Sequence, residues 1–289
     1  MKYAYIERNN YGFNINHLCK AMKVSESGYY RWKKHKVSNH KLRDQYLGSR
    51  ISSIFNSVKG RYGSPRVRMA LKDEGEHVSL RRIQRLMQER ELKSPVKRKY
   101  KVTTIKDPSA TARKNILDRN FITSAPNQAW VSDITYIQTQ EGWLYLVIIL
   151  DLFARKVVSW QTSSNLKKEF VIECFLKVYW QRKPGKKLIF HSDRGSQYTS
   201  KEFQKILSTC DVSSSMSGAG SCYDNAVAES FFKSLKTELK VNKIYKSKEE
   251  ARNAIFEYIE SFYNPVRKHS TLNYFSPDQY EYKFVAGVH

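Results

Sequence analysis

The stretch from Gln128 to Gln161, QAWVSDITYIQTQEGWLYLVIILDLFARKVVSWQ, contains three runs rich in β-branched and aromatic residues. Such runs are typical of β-strands, and we predict strands at residues 128–138, 143–150 and 156–161. Glu141-Gly142 and residues 152–155, which separate the runs, are typical of turns. The stretch therefore predicts a three-stranded antiparallel meander.

Helical and strand patterns alternate in the chain after this meander. Apolar residues recur at helical spacing over residues 167–180 and 200–209, and strands are expected at 187–191 and near Val212. A long helix is expected from Asn225 to Lys240. Hairpin strands followed by alternating helix and strand predict a mixed sheet, so the expected fold class is α/β, with a core domain at residues 122–240 and a helical tail at 241–289.

Three acidic residues occupy places in this layout where a carboxylate needs a reason. Asp133 lies mid-strand in an apolar run, where a buried charge costs stability unless it has a partner such as a metal ion. Asp193 ends a strand at the carboxyl edge of an α/β sheet, where sites form, and Glu229 follows in the long helix with 35 residues between them. Each acid alone is compatible with a turn cap, a bend or a solvated helix face. Together their placement predicts a catalytic cluster.

Other polar residues near these acids are given lesser roles. Asp151 is placed at a hairpin turn, and Asp224 is expected to N-cap the long helix. His191 and Gln197 flank Asp193, so they are expected either to orient it or simply to pack.

The charge of the chain is concentrated in its first part. Lys and Arg number 51 against 27 Asp and Glu, which gives a net charge of +24, and residues 1–120 carry 19 of those charges. Such an excess favours a polyanionic partner, because a basic surface kept for solubility would not require the asymmetry. We expect the first part of the chain to bind nucleic acid.

Short helices are predicted for this basic part. Residues 14–35 show two helical patterns separated by a break, which is typical of a helix-turn-helix, and we assign residues 1–43 to this segment. A second helical unit is predicted at residues 44–95, where Ser79 caps the last helix. Residues 96–121 read as a basic linker that lies along a DNA backbone.

Three arginines of the last helix, Arg81, Arg82 and Arg85, fall largely away from its apolar stripe. They are expected either to contact DNA, as a recognition helix does, or to form an ordinary charged face. Further along the chain, the small residues of Ser213–Ser221 predict a mobile loop that either closes over DNA or serves as a connector.

Cysteine spacing argues against a disulfide framework and a standard zinc site, since no Cys-x-x-Cys pair occurs. His17, Cys19, His35 and His40 fit no standard zinc finger, and Cys19 falls on an apolar helix stripe where a free thiol normally packs. No apolar run reaches the roughly 18 residues of a membrane span, and no signal peptide is recognised. We therefore expect a soluble protein of the cytoplasm.

Three segments of the chain resemble the catalytic segments of DDE transposases of the insertion-sequence family numbered three, the OrfB-type product of its second reading frame. The segments are Trp130–Thr135 (WVSDIT), His191–Tyr198 (HSDRGSQY) and Tyr223–Phe232 (YDNAVAESFF). The 35-residue interval also matches the family, as does Lys236, a basic residue seven positions after Glu229. The resemblance covers nearly the whole chain and implies a ribonuclease H-like core shared with retroviral integrases. It also implies a bacterial protein that is associated with the nucleoid.

Three carboxylates suit phosphodiester chemistry independently of the family. Two Mg²⁺ or Mn²⁺ ions, which prefer hard oxygen ligands, activate an attacking hydroxyl and stabilise the leaving oxygen. We expect Asp133 to bridge both ions, Asp193 to hold one and Glu229 the other. Asn225 and Lys233 lie one helical turn either side of Glu229 and are second-choice DNA contacts beside Lys236.

The expected activity is cleavage at the element ends and transfer of the 3′-hydroxyl to DNA, through a circular intermediate in this family. A nuclease of the same fold and a regulator without catalysis remain alternatives. Expected partners are the terminal inverted repeats and target DNA, further copies of the chain, and the upstream reading-frame product. In the tail, Arg267 and His269 are expected either to clamp DNA or to hold the last helix in place.

Overall fold

The structure, a computed structural model, describes residues 1–34, 38–95, 113–218, 222–239 and 244–288. The chain divides into two compact units, Met1–Lys93 and Ser94–His289. Most of the predicted linker, residues 96–112, lies outside the described residues, as do His35 and Lys240.

Helices form the first unit. Their bounds are Lys2–Arg8 (α1), Ile15–Ala21 (α2), Glu26–Lys34 (α3), Asn39–Ser57 (α4), Ser64–Asp73 (α5) and Leu80–Glu89 (α6). The two helices of the predicted helix-turn-helix are present as α2 and α3, whereas α1 was not predicted. The assignment of residues 1–43 as a helix-turn-helix segment stays a prediction. Helix α4 begins at Asn39, so the predicted boundary between residues 43 and 44 falls inside a helix.

Capping and burial explain the ends and faces of these helices. The Ser79 hydroxyl accepts a hydrogen bond from the Arg82 amide, which confirms the predicted cap of α6. Cys19 is buried and free, and it packs with Ile6 and Tyr29 between α1, α2 and α3. The predicted packing of this thiol is therefore confirmed.

A five-stranded sheet organises the second unit. Its strands are Ala129–Thr139 (β1), Gly142–Asp151 (β2), Lys156–Ser163 (β3), Ile189–Ser192 (β4) and Ser213–Met216 (β5), in the order β3-β2-β1-β4-β5. The first three strands are antiparallel, whereas β4 runs parallel to both β1 and β5. The predicted α/β mixed sheet and its meander are confirmed.

Helices and a π-helix surround this sheet. Their bounds are Lys168–Arg182 (α7), Ser196–Thr199 (α8), Lys201–Thr209 (α9), Ala226–Glu238 (α10), Lys248–Phe256 (α11), Glu257–Tyr263 (π-helix) and Pro277–Val285 (α12). Among the described residues, none of the helices is both long and apolar enough to pass through a membrane.

The prediction of a mobile loop at Ser213–Ser221 is wrong for its first four residues. They form β5, which pairs with β4 from Ile189↔Ser213 to Ser192↔Met216. The buried Ser215 hydroxyl also accepts hydrogen bonds from the Ile116 and Leu117 amides. Ser215 thus lies against the segment at residues 116–117, whereas Ser213 is exposed. Residues 219–221 lie outside the described residues.

The tail is held to the sheet by side chains. Asn264 hydrogen-bonds both main-chain groups of Val157 in β3, at 3.0 and 2.9 Å. The buried Arg267 donates to both carboxylate oxygens of Glu238 at the end of α10 and lies 3.3 Å from the His269 ring nitrogen. Of the two roles expected for Arg267, the structure shows the one that holds the tail in place.

Phe175 of α7 lies at the centre of the core on one face of the sheet, with its ring centroid 5.4 Å from Phe190 and 5.7 Å from Phe203. Phe175→Ala is expected to lower the free energy of unfolding by about 3–5 kcal/mol, because it removes buried apolar contacts and leaves a cavity in the core. Urea unfolding followed by circular dichroism measures this loss. Trp180→Ala on the same helix is the control, since Trp180 is 66% exposed, and an equal loss in both variants would contradict this description of the core.

Candidate active site

Two of the predicted acids lie at equivalent places on neighbouring parallel strands. β1 and β4 pair in register up to Val131↔His191. Asp133 and Asp193 each follow that last pair by two residues. Because the strands are parallel, both acids lie just beyond the C-terminal end of the region in which β1 and β4 pair. Sites in α/β proteins form at such ends of parallel strands.

Electrostatics connect Asp133 with both other acids. Burial and the carboxylates of Asp193 and Glu229 raise the pKa of Asp133 to about 8, while the Ile134 amide and the Lys236 ammonium oppose the rise. A carboxyl in these surroundings is mostly protonated at neutral pH, and a nearby cation favours its ionised form. The structure therefore brings the three predicted acids and Lys236 into one electrostatic environment.

The other two acids differ in exposure. Burial raises the pKa of Asp193. The Gly195 amide donates to Asp193 Oδ1 at 2.9 Å, and this hydrogen bond opposes the rise. Glu229 lies near the start of α10, which packs against β1. Unlike the other two acids, Glu229 is exposed. Partial burial of its carboxyl still raises its pKa.

Lys236 follows Glu229 by two helical turns, as predicted. Its Nζ lies 5.2 Å from the centroid of the Tyr136 ring on β1. Burial lowers the pKa of Lys236, and the nearby Asp133 opposes that shift. Lys233, one turn earlier, is exposed. The positive charge of Lys236 thus lies beside the acids, and that of Lys233 is open to a ligand.

The acids have the right donor chemistry for a hard cation, since carboxylate oxygens are the ligands that Mg²⁺ and Mn²⁺ prefer. Their arrangement is looser than a metal cage: in the part of the chain that the structure describes, no three His, Cys, Asp or Glu side chains are placed to hold an ion together. Of the three acids, Glu229 is the one that is exposed.

The start of α10 differs from the prediction. Asp224 does not cap the helix: its carboxylate accepts from the Gly218 amide at 2.8 Å and pairs with Arg119, while Asn225 occupies the N-cap position without a side-chain cap bond. Asn225 was predicted to contact DNA, but its side chain is buried and donates to the Ser132 carbonyl at 3.1 Å.

His191 and Gln197 make no hydrogen bond to Asp193 among the described contacts. The buried His191 ring joins the hydroxyls of Ser215, at 2.9 Å, and Ser217, at 3.2 Å, and burial lowers its pKa to about 4. Gln197 donates to the Leu166 carbonyl at 3.2 Å. The neutral His191 thus connects β4 to β5 and its continuation, which fits the packing alternative.

The three arginines of α6 differ in their surroundings. Arg82 and Arg85 both form ion pairs with Asp44 of α4, and Arg85 also pairs with Glu89. Arg81 is exposed. Contact of these residues with DNA stays a prediction, and the pairs show that two of them also join α4 to α6.

Three family models match parts of the chain. An integrase core domain matches residues 123–222, a second integrase core domain matches residues 210–277, and an HTH-like domain matches residues 41–100.

Whole-chain relatives are also known. The chain is 35% identical over 288 residues to the transposase InsF of insertion sequence IS3A from Escherichia coli (strain K12), covering 99% of this chain and 100% of that protein. It is 37% identical over 267 residues to an uncharacterized 31 kDa protein of insertion element IS600 from Shigella sonnei, covering 92% and 98%. Among solved structures, it is similar to a chain of the simian T-cell lymphotropic virus intasome in complex with the PP2A regulatory subunit B56 gamma, with a TM-score of 0.47 and 18% identity over 61% of this chain and 60% of that chain.

The raised pKa of Asp133 makes a prediction for the metal-free protein. Between the ordinary pKa of 3.8 and the folded value of about 8, the folded state holds a proton that the unfolded state has lost, so this group costs stability increasingly as pH rises. Asp133→Asn removes that cost. Its gain in free energy of unfolding is expected to be smallest at pH 4 and to grow by at least about 1 kcal/mol by pH 8, since one pKa unit corresponds to about 1.4 kcal/mol.

Urea unfolding of wild type and Asp133→Asn at pH 4, 6 and 8, with a chelator present, measures this difference. A gain that stays constant or shrinks as pH rises would contradict the burial of the Asp133 carboxyl.

Proposed function

The chain belongs to the InsF transposase family of insertion sequence IS3, so it functions in DNA transposition, and from this premise we propose that Asp133, Asp193 and Glu229 are its catalytic acids. The observation that supports this assignment best is the equivalent place of Asp133 and Asp193 on two parallel strands, each two residues beyond the Val131↔His191 pair. The influence of Asp193 and Glu229 on the pKa of Asp133 supports it further.

A divalent metal ion fits this donor set, and integrase-like enzymes normally depend on one. Two Mg²⁺ or Mn²⁺ ions would activate the attacking hydroxyl and stabilise the leaving oxygen of the phosphodiester. Because the charges of both Asp193 and Glu229 raise the pKa of Asp133, Asp133 is the candidate for the ligand that the two ions share. Glu229 completes the set by turning its exposed carboxylate inward. Lys236 keeps a positive charge beside Asp133.

DNA is the partner that the charge and the HTH-like domain favour. We assign phosphate contacts to the exposed Arg81 and Lys233, and to Lys236 beside the acids. The substrate is double-stranded DNA of the terminal inverted repeats and of the target, in the bacterial cytoplasm. Copies of the chain assemble on these ends, and the upstream reading-frame product is a further partner.

The catalytic assignment is tested by strand joining in cells. A marker is flanked by the ends of the encoding element, the chain is supplied, and end-to-end junctions are amplified. Wild type is expected to give junctions, and Glu229→Gln to give none, because the amide cannot supply the negative oxygen. Glu249→Gln, an exposed glutamate in the first turn of α11, is the matched control and should behave as wild type.

Junctions from Glu229→Gln at the wild-type level would contradict the assignment. Cleaved ends that are never joined would identify a nuclease instead. If wild type gives no junctions, the same comparison is made with the upstream frame fused to the chain. No junctions from that fusion would contradict transposition by this chain.

DNA contact by Lys233 is tested by equilibrium binding to duplex DNA at several salt concentrations. Lys233→Ala is expected to weaken binding equally for all sequences and to reduce the slope of log K against log salt by about 0.9, the contribution of one phosphate contact. Lys205→Ala, an exposed lysine of α9, is the control. An unchanged slope for Lys233→Ala would contradict the contact.

A further inference from the structure

Ser132, the neighbour of Asp133 in β1, is buried and makes polar contacts in two directions. Its hydroxyl donates to the Ile148 carbonyl of β2 at 2.8 Å and lies 2.8 Å from the Tyr198 hydroxyl. Because the single proton of Ser132 goes to Ile148, the hydroxyl of Tyr198 is the donor in the second contact. Tyr198 lies in α8, the short helix that follows Asp193.

The same residue receives a third contact from the segment before α10. Asn225 Nδ2 donates to the Ser132 carbonyl at 3.1 Å, and the side chain of Asn225 is 4% exposed. Its Oδ1 is buried without a hydrogen-bond partner among the described residues. A buried acceptor left unsatisfied costs stability, so packing alone does not explain an asparagine here. The Ser132 carbonyl can only accept, which fixes the orientation of the amide.

These contacts join the three segments that carry the acids. Ser132 directly precedes Asp133, and Asn225 precedes Glu229 by four residues. Tyr198 follows the turn in which the Gly195 amide donates to Asp193. The Tyr198 amide donates to the Gly195 carbonyl at 2.9 Å, so the tyrosine and the Asp193 turn are one local unit.

We propose that Ser132, Tyr198 and Asn225 are positioning residues that set the places of the three acids relative to one another, an inference that rests on the proposed catalytic role of those acids. The hydroxyl of Tyr198 fixes the Asp193 turn against β1, and the amide of Asn225 fixes the start of α10 against the same residue. The three carboxylates of the metal-free protein are not close enough together to form a metal cage. The contacts of Ser132, Tyr198 and Asn225 therefore determine how closely the acids approach a shared cation.

An ordinary core tyrosine would behave differently. Tyr198 belongs to the apolar core, and phenylalanine would fill the same volume. If the tyrosine only packs, loss of its hydroxyl leaves the acids in place. The chain offers matched contacts away from the acids: the Tyr179 hydroxyl donates to the Cys210 carbonyl at 3.0 Å, and the buried Ser159 hydroxyl donates to the Cys174 carbonyl at 2.9 Å.

The test measures Mn²⁺ binding to the full chain by electron paramagnetic resonance, beside thermal unfolding. Tyr198→Phe and Asn225→Ala are expected to weaken Mn²⁺ binding about 10- to 100-fold, the usual effect of losing a residue that orients metal ligands. Tyr179→Phe and Ser159→Ala should bind as wild type does. Tyr198→Phe is the least disruptive variant, so it decides the matter if Asn225→Ala does not fold.

Coupling between the residues gives a second readout. The double variant Ser132→Ala with Tyr198→Phe should bind Mn²⁺ no more weakly than either single variant, because both remove one contact. Mn²⁺ affinities of Tyr198→Phe and Asn225→Ala equal to those of the controls would overturn the inference and leave the proposed function standing. If wild type itself binds Mn²⁺ no better than Glu229→Gln, the proposed function fails and the inference with it.

Discussion

A carboxyl group placed on a central strand constrains the whole second unit. Burial and two neighbouring acids raise the pKa of Asp133 to about 8, so the protein keeps a site that resists ionisation at neutral pH. Such a site costs stability unless a partner offsets the buried charge, and a cation shared by the three acids is the partner that their chemistry favours. The metal-free protein therefore carries an electrostatic cost, and we propose that ion binding relieves it.

The sheet supplies the geometry that this constraint needs. β4 pairs with β1 only as far as Val131, so the edge of β1 beyond that residue is left open for α10. The parallel direction of β4 places Asp193 level with Asp133, and α10 carries Glu229 and Lys236 past the same edge. Buried polar contacts then hold these pieces: His191 between two serines of the β5 segment, and Arg267 against Glu238 at the far end of α10.

Sequence patterns predicted what depends on local spacing. The three hairpin strands are rich enough in β-branched and aromatic residues to be assigned, and the placement and spacing of Asp133, Asp193 and Glu229 singled out the acids. The patterns failed where a residue's partner lies far along the chain. Ser213–Met216 has the composition of a loop, yet it is a strand because β4 offers it a free edge. Asp224 has the chemistry of a helix cap, yet its carboxylate pairs with Arg119 and accepts a hydrogen bond from the Gly218 amide. The buried side chain of Asn225 donates to the Ser132 carbonyl. The polar Ser132 in an apolar run was the one signal that such contacts exist.

The central claim is that Asp133, Asp193 and Glu229 hold a common metal site. Fe²⁺ in place of Mg²⁺, with peroxide and ascorbate, generates radicals that cut the main chain beside the bound ion, and mass spectrometry locates the cuts. The account predicts cuts grouped near residues 133, 193 and 229 that excess Mg²⁺ suppresses and that Asp133→Asn abolishes. Suppressible cuts at other residues, with none near these three, would contradict it.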